Sequence, residues 1–100
     1  MKLVLTVAAL DDLRSVRAYT LETWGADQEE RYLRNLWCRF ETIRSNPHRF
    51  RLREDLFPRC RIAAEGRHVI LFRTDDNIPQ VVRVLHSAMD FKRHQPPESD

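Results

Sequence analysis

The residues best suited to chemistry lie in the stretch VVRVLHSAMD, Val81 to Asp90, and just beyond it. Arg83 could hold a phosphate, while His86 and His94 could exchange protons near neutral pH. Acid–base catalysis at a phosphate needs such groups: a base, an acid for the leaving oxygen and cations for the phosphate. Further arginines that could supply those cations are Arg59, Arg61 and Arg73. The residue types therefore leave two interpretations open: the working groups of an enzyme, with Arg83, His86 and His94 as candidate catalytic residues, or the fixtures of a binding module.

Other residues that such chemistry uses are badly placed in this sequence. Both tyrosines, Tyr19 and Tyr32, fall in segments with helical periodicity, and no lysine occurs between Lys2 and Lys92. The chain has only two glycines and no nucleophile elbow, glycine-rich phosphate loop or paired-carboxylate arrangement. Cysteines and histidines lack the spacing of metal ligands. We therefore expect a protein that is not an enzyme and has no metal or cofactor.

Arg83 and His86 also have a structural interpretation. Strict alternation along a strand places them on opposite faces, so they could meet only if the strand ends or bulges there. The expected faces are Val81, Arg83 and Leu85 on one side, and Val82, Val84 and His86 on the other. We expect Arg83 to pair with a carboxylate such as Asp75 or Asp90. His86, like His68 at the head of another strand, would hydrogen-bond a neighbouring loop.

Two helices and four strands must position these residues. A short apolar strand over Lys2–Val7 precedes a helix that Thr6 caps and that runs to Trp24, before a glycine stop. A second helix begins at Asp27, which forms a capping-box pattern with Glu30. It ends before an Asn-Pro pair, because a residue preceding proline avoids helical angles. The short connection between the helices predicts an antiparallel hairpin.

Three further strands follow, joined by short turns. Their sequences are RCRIAA, RHVILFRT and PQVVRVLH. The middle run, HVILF, is apolar on both faces, as the central strand of a sheet is. We predict a two-layer α+β domain: a strand, two helices and a three-stranded antiparallel meander, with the helical hairpin packed on one sheet. This single domain would cover residues 1–94, and residues 95–100 would form a flexible polar tail.

The net charge of +2 conceals an uneven distribution. Arg31 to Arg73 contains eleven arginines and four acidic residues, so this segment carries +7 and the rest of the chain −5. Such a block is typical of a protein with an acidic partner, and equally of an ordinary solvated surface. Leu10 and Leu21 lie outside the apolar stripe of the first helix. They are either scattered surface residues or part of a partner-binding surface.

Cysteine use and hydropathy bear on the compartment. Cys38 and Cys60 are too far apart for a metal-binding pair, and we interpret both as free thiols in a reducing environment. The apolar N-terminal run is cut off by Asp11 and Asp12 before it reaches the length of a secretory signal. No run approaches the ~18 apolar residues of a membrane span. We expect a cytoplasmic protein with no membrane contact.

Four segments resemble the ParE toxins of the RelE/ParE superfamily: AALDDLRSVRAYTLETWG, YLRNLWCRFETIRSNP, RHVILFR and, most specifically, VVRVLHSAMDFKRH. The similarity covers Lys2–His94, nearly the whole chain. Two positions depart from the family pattern, since Phe50 and Arg59 stand where members often carry glycine. Both departures concern the loop between Pro47 and Cys60.

The resemblance implies a RelE/ParE-like toxin of a type II toxin–antitoxin system that acts on DNA gyrase. A ParD-like antitoxin would form a hetero-oligomer with it and silence it, and no specific nucleic-acid binding is expected. The alternative within the superfamily is a RelE-like ribosome-dependent mRNA endonuclease. We expect target binding by a C-terminal set: His86, Met89, Asp90, Phe91, Lys92, Arg93 and His94. We expect antitoxin binding by apolar and basic surface residues: Leu10, Leu21, Trp37, Arg59 and Arg61.

Overall fold

Two helices cover one face of a five-stranded sheet in a computed structural model that describes residues 2–87. The helices are α1 (Val7–Trp24) and α2 (Ala26–Ser45). The strands are β1 (Val4–Leu5), β2 (Arg51–Leu52), β3 (Arg61–Glu65), β4 (His68–Asp75) and β5 (Ile78–His86), and a 3-10 turn spans Pro47–Arg49. The prediction from sequence is confirmed for the α+β class, the helical hairpin and the final antiparallel meander. The short strand β2 was not predicted.

Capping chemistry sets both ends of α1. Thr6 is the N-cap: its hydroxyl accepts a hydrogen bond from the Ala9 N–H at 3.0 Å and donates to the Val82 carbonyl at 2.7 Å. At the other end Gly25 has a φ of 91°, a conformation that favours glycine, and its N–H donates to the Leu21 carbonyl. Both ends confirm the prediction, and the Thr6 hydroxyl also ties the start of α1 to β5.

Only Gly25 separates the two helices, so α2 begins at Ala26, which is earlier than predicted. The proposed capping box is wrong, because Asp27 lies inside the first turn and the N-cap is Gly25, which has no side chain to pair with Glu30. Gly25 reverses the chain by itself, and its carbonyl accepts the first helical hydrogen bond from the Glu29 N–H at 3.0 Å. Glu29 also pairs with Arg17 of α1 at 2.7 Å, across the hairpin. The end of α2 before the Asn-Pro pair is as predicted.

The strand order is β1-β5-β4-β3-β2, with β1 parallel to β5 and the other pairs antiparallel. Strand β4 is therefore central, and its side chains from His68 to Phe72 are buried, as predicted for HVILF. The helix-side core joins three elements of the sheet to the hairpin. Its buried members are Ala9, Val16, Leu36, Phe40, Ile43, Ala63, Ile70, Phe72, Val81 and Val84.

The opposite face of the sheet is covered by the loop between β2 and β3, an arrangement that was not predicted. Leu56, Phe57 and Cys60 of this loop are buried against four strand residues: Val69, Leu71, Val82 and Leu85. Burial raises the pKa of the Cys60 thiol to about 12, so this cysteine is an unreactive core residue. Cys38 lies exposed on α2, and both cysteines are free thiols, as expected.

The two departures from the glycine pattern, Phe50 and Arg59, are both accommodated in the segment between Pro47 and Cys60. Arg59 adopts a φ of 63°, a left-handed conformation that glycine reaches more easily. Its N–H donates to a Glu54 carboxylate oxygen at 3.4 Å and its guanidinium to the Thr74 carbonyl at 3.2 Å. Phe50 packs edge-on against Phe72, with 5.6 Å between ring centroids. The loop thus keeps a glycine-type backbone at Arg59 without the glycine.

A β-bulge in β5 overturns the predicted faces for Val81 and Val82, whereas Arg83 and His86 stay on opposite faces as predicted. Phe72 of β4 lies opposite Val81, whereas Leu71 lies opposite Arg83, so Val82 is an extra residue. The alternation therefore shifts by one position. Val81 and Val84 now belong to the helix-side core, and Val82 and Leu85 to the loop-side core.

Candidate functional site

Arg83 pairs with Asp12 of α1, so the suggested partner Asp75 was wrong, whereas the suggestion of Asp90 stays a prediction. Its Nε lies 2.7 Å from Asp12 Oδ2 and its Nη2 lies 2.8 Å from Oδ1. The two side chains are only 23% and 14% exposed. The hydrogen bond with Asp12 raises the pKa of Arg83. Asp75 lies 4.0 Å from Arg59 instead, and Asp90 is outside the described residues. Arg83 is thus a structural cation whose charge is already matched.

Asp12 also completes the edge of the sheet. Within the described chain, β1 pairs with β5 only as far as Val81. Beyond that point the Val84 N–H donates to Asp12 Oδ2 at 2.9 Å, in place of a strand carbonyl. One carboxylate therefore satisfies both a partly buried guanidinium and an edge amide.

His86 lies directly across the sheet from His68, with 5.6 Å between the ring centroids. The bulge matters here, because it turns the end of β5 so that His86 faces the helices. His68 in turn lies 2.5 Å from the Tyr32 hydroxyl through its Nδ1. Tyr32, whose helical position seemed to separate it from the sheet, therefore belongs to the same cluster as both histidines. The sequence offered no signal for this contact across 36 positions.

The Tyr32 hydroxyl organises the turn between β3 and β4. It accepts the Arg67 N–H at 3.0 Å and lies 3.1 Å from the Glu65 carbonyl, to which it can donate. Gly66 makes this approach possible, because a Cβ at that position would lie 2.5 Å from Tyr32 Cε1. Burial raises the pKa of Tyr32, so the hydroxyl stays protonated at neutral pH.

We predict that stability falls as the pH is lowered below about 6.5, because of His68. Burial, and then the charge of His86, lower the pKa of His68 below its ordinary 6.5, against a smaller opposite effect of Asp12. The unfolded chain therefore binds this proton more readily, and stability that is full above pH 6.5 is lost as pH falls toward the folded pKa.

Urea unfolding across this pH range measures the effect. His68→Gln should flatten the pH dependence of the unfolding free energy. His48→Gln, at an exposed position in the 3-10 turn, is the matched control and should leave it unchanged. An equal pH dependence in wild type and His68→Gln would contradict the assignment.

The same cluster forms the floor of a pocket of about 300 Å³, here called the aromatic pocket. Its walls come from both helices, the β3–β4 turn and the end of β5. The lining residues are Tyr19, Thr20, Trp24, Gln28, Tyr32, Gly66, Arg67, His68 and His86. The Arg67 guanidinium carbon lies 5.5 Å from the centroid of the Trp24 ring, within the range of a cation–π contact.

The arginines that the sequence offered for nuclease chemistry do not converge on His86 within residues 2–87, although Arg67 lines the same pocket. Arg83 is committed to Asp12. Arg73 pairs with Gln80 at the far end of the same two strands, about five residues or ~16 Å away along the sheet. Arg61 donates to the Phe50 carbonyl at 2.6 Å. His94 is outside the described residues. The set proposed from sequence is therefore not assembled in the part of the chain that we describe.

A second depression, here called the apolar groove, runs between α1 and α2 and has a volume of about 310 Å³. It is lined mostly by leucines and aromatic residues, with two arginines at its side: Leu10, Leu13, Arg14, Arg17, Leu33, Leu36, Trp37 and Phe40. Leu10 and Trp37, both expected to bind a partner, thus meet in one surface. Leu13 and Leu33 were not expected in this surface, because their positions in the apolar stripes of the two helices indicated core. The structure leaves both side chains partly accessible.

The remaining expected partner-binding residues lie apart from this groove. Leu21 is exposed near the end of α1, and Arg59 lies in the loop on the opposite side of the sheet. Arg61 lies on β3 opposite Phe72, and its guanidinium donates to the Phe50 carbonyl. Of the residues expected to bind a target, the structure places His86 at the aromatic pocket. The others lie outside residues 2–87: Met89, Asp90, Phe91, Lys92, Arg93 and His94.

Neither metal chemistry nor membrane insertion finds support in the described residues. No group of three or more His, Cys, Asp or Glu side chains in residues 2–87 is arranged to hold a metal ion. Within the same range, no helix combines the length and the apolarity that crossing a membrane requires.

Comparison with known proteins gives a consistent result. The family model for the ParE toxin of the type II toxin–antitoxin system parDE matches residues 3–91. Toxin ParE1 of Mycobacterium tuberculosis is 35% identical over 92 residues, which cover 91% of this chain and 94% of that protein. Toxin ParE of Escherichia coli is 33% identical over 89 residues, covering 88% and 86%.

The fold has a solved counterpart as well. A chain of the chromosomal ParDE TA system from P. aeruginosa matches with a TM-score of 0.74 over 86% of this chain and 95% of that one, at 16% identity. That likeness establishes the two-layer architecture alone, whereas the family match extends over nearly the whole sequence. The chain therefore belongs to the ParE toxin family of type II toxin–antitoxin systems.

Proposed function

We propose that this ParE toxin inhibits DNA gyrase without enzymatic turnover and that a ParD-like antitoxin neutralises it in the cytoplasm. The observation that carries the proposal is the match to the parDE toxin family over residues 3–91. The geometry supports a binding role, because Arg83 is neutralised by Asp12 and the other candidate cations lie away from His86.

Target binding is assigned in this proposal to the segment from His86 to His94. It combines apolar Met89 and Phe91 with cationic Lys92 and Arg93, a mixture suited to a protein surface beside DNA. The described part of the chain reaches the start of this segment, where the Ser87 N–H donates to the Arg67 carbonyl at 2.9 Å. A chain ending at Ser87 would keep this hydrogen bond.

A gyrase supercoiling assay tests the target, run beside a cleavage assay on ribosomes programmed with mRNA. We expect the purified toxin to block supercoiling and to leave mRNA intact. The chain ending at Ser87 should stay folded by circular dichroism and lose inhibition. Cleavage of mRNA with unimpaired supercoiling would instead establish the RelE-like alternative, for which the cluster of Tyr32, His68 and His86 would be the place to look.

The apolar groove is proposed as the antitoxin site. Arg14 and Arg17 at its side fit a partner segment that is acidic and carries spaced Leu, Ile or Val, folding onto the groove as a helix. Such a groove resembles the hydrophobic surfaces on which an amphipathic helix lays its apolar face. Trp37, 59% exposed at its wall, is the natural anchor.

We predict that Trp37→Ala weakens antitoxin binding by about 30-fold or more, the loss typical of a buried tryptophan anchor of at least ~2 kcal/mol. Titration calorimetry with the purified antitoxin from the neighbouring reading frame measures it. Trp24→Ala removes an equally large, similarly exposed ring from the aromatic pocket and should change the affinity less than about threefold. Equal losses in both variants would count against the groove.

A further inference from the structure

We propose that the aromatic pocket binds an unstacked nucleobase together with its phosphate, so that this toxin contacts single-stranded nucleic acid without reading its sequence. The inference goes beyond the proposed function, in which gyrase alone is the target. It is also independent of that function, because the contact would exist in the absence of gyrase. Four features of the pocket support it.

The first feature is the exposure of aromatic rings. Tyr19 and Trp24 are 51% and 52% exposed, although they line the same pocket. The helix-side core does not depend on the rings of Tyr19 and Trp24, because its buried members are all aliphatic residues or Phe. Exposed rings beside a cationic surface are the platforms on which bases stack, at about 1–3 kcal/mol per base.

The second feature is charge. Within residues 2–87, the nine lining residues include one arginine and two histidines and no carboxylate. Arg67 lies at the Trp24 ring, so a base stacked there would bring its phosphate close to the guanidinium. A planar guanidinium can bind phosphate oxygens in a bidentate manner. The pocket is therefore complementary to an anion that carries an aromatic ring.

The third feature is the hydrogen-bonding capacity of the walls. Gln28 brings an amide with both donors and an acceptor, and His86 brings an imidazole. Such groups can pair with the edge of any base. The apolar groove differs in this respect, because leucines dominate its lining. The aromatic pocket thus favours a planar ligand with a polar edge over an aliphatic side chain of a partner protein.

The fourth feature is a preformed floor of suitable size. The volume of about 300 Å³ lies at the lower end of the roughly 300–1,000 Å³ of ligand pockets, enough for one nucleotide. Tyr32, Gly66 and His68 form a hydrogen-bonded floor that packing holds in place. Little ordering would therefore be needed on binding.

Fluorescence anisotropy tests the proposal with the full chain and a fluorescein-labelled oligothymidylate of about eight nucleotides. An abasic oligomer of the same length and charge is the probe control. We expect at least a fivefold preference for the probe with bases, the smallest factor that one stacked base should give. Trp24→Ala should weaken binding of the oligothymidylate by about 5- to 150-fold. Trp37→Ala, the matched tryptophan on the other face, should leave it unchanged.

Three outcomes would overturn the proposal. Equal binding of the abasic oligomer would mean attraction of phosphate alone. Equal effects of Trp24→Ala and Trp37→Ala, with both variants folded by circular dichroism, would remove the pocket from the interaction. An effect of Trp24→Ala on binding of isolated gyrase subunits, with none on the oligomer, would assign the pocket to a protein contact. Absence of gyrase inhibition by the wild-type chain, with oligomer binding retained, would contradict only the proposed function.

Competition identifies the source of the base. Thymidine monophosphate that displaces the probe at comparable concentration would identify a mononucleotide site, whereas preference for the oligomer would identify a strand-binding site. A ribo-oligomer of matched sequence compares DNA with RNA. Each of these results supports the same base-and-phosphate chemistry.

Discussion

Replacing Phe72 by alanine should lower the free energy of unfolding by about 4 kcal/mol, the typical cost of deleting a fully buried ring from a core. Phe72 has no exposed surface, lies at the centre of β4 and contacts Phe50 edge-on. Its removal would open a cavity between the hairpin and the sheet that packed neighbours can only partly fill. For a domain whose whole stability is about 5–15 kcal/mol, this loss brings it close to unfolding.

Urea unfolding followed by circular dichroism measures this effect. Trp37→Ala is the control, because it deletes a larger ring that is 59% exposed and should cost less than about 1 kcal/mol. If Phe72→Ala does not fold, Phe72→Leu keeps most of the volume and should cost about 1.5 kcal/mol or less. A loss below about 1 kcal/mol in Phe72→Ala would show that the assigned core is wrong.

Replacing Asp12 by alanine should cost about 2–3 kcal/mol, the loss of charged hydrogen bonds at a partly buried pair. The change leaves the Arg83 guanidinium without its bidentate partner and the Val84 N–H without its acceptor. The result should be a fall in Tm of roughly 10–20 °C for a domain of this size.

Asp11→Ala offers an unusually close control for that experiment. Asp11 is the preceding residue of α1, and its pair with Arg14 is 63% and 78% exposed, so its loss should cost less than about 0.5 kcal/mol. Both substitutions bring the same gain in helix propensity, which cancels in the comparison. Similar melting temperatures for the two variants would contradict the structural role of Asp12.

Phe72 and Arg83 differ in how much of their environment could be predicted from the sequence. Phe72 could be predicted as core, because it lies in the run HVILF, whose apolar residues on both faces are typical of a central strand. The partner of Arg83 could not be predicted, because Asp12 lies 71 positions away, and the nearer carboxylates offered equally good chemistry. The arginine side chain shows that a carboxylate partner is needed. Only the packing of α1 on β5 determines that this carboxylate is Asp12.

The candidate site shows the same division. Leu10 could be identified as surplus apolar surface from its helical position, and Trp37 was also expected to bind the antitoxin; the structure brings the two into one groove. The aromatic pocket had no sequence signal, because Tyr32, His68 and His86 come from three elements that are far apart along the chain. Although Tyr32 lies on a helix, it contacts the sheet, because the helical hairpin packs directly on the sheet.

The sequence by itself determined the elements whose causes are local. The Thr6 cap, the glycine stop at Gly25, the end of α2 before proline and the turns of the meander each depend on a few neighbouring residues. Family membership was also accessible from sequence, because it depends on the order of such segments over nearly the whole chain.

Only the tertiary structure decided the faces of β5, the partner of Arg83 and the meeting of Tyr32 with the histidines. The bulge at Val82 arises where β5 must satisfy two cores, one under the helices and one under the loop between β2 and β3. Because side chains alternate along a strand, one extra residue exchanges the faces of all that follow. The position of His86 thus depends on a global packing requirement that no local pattern records.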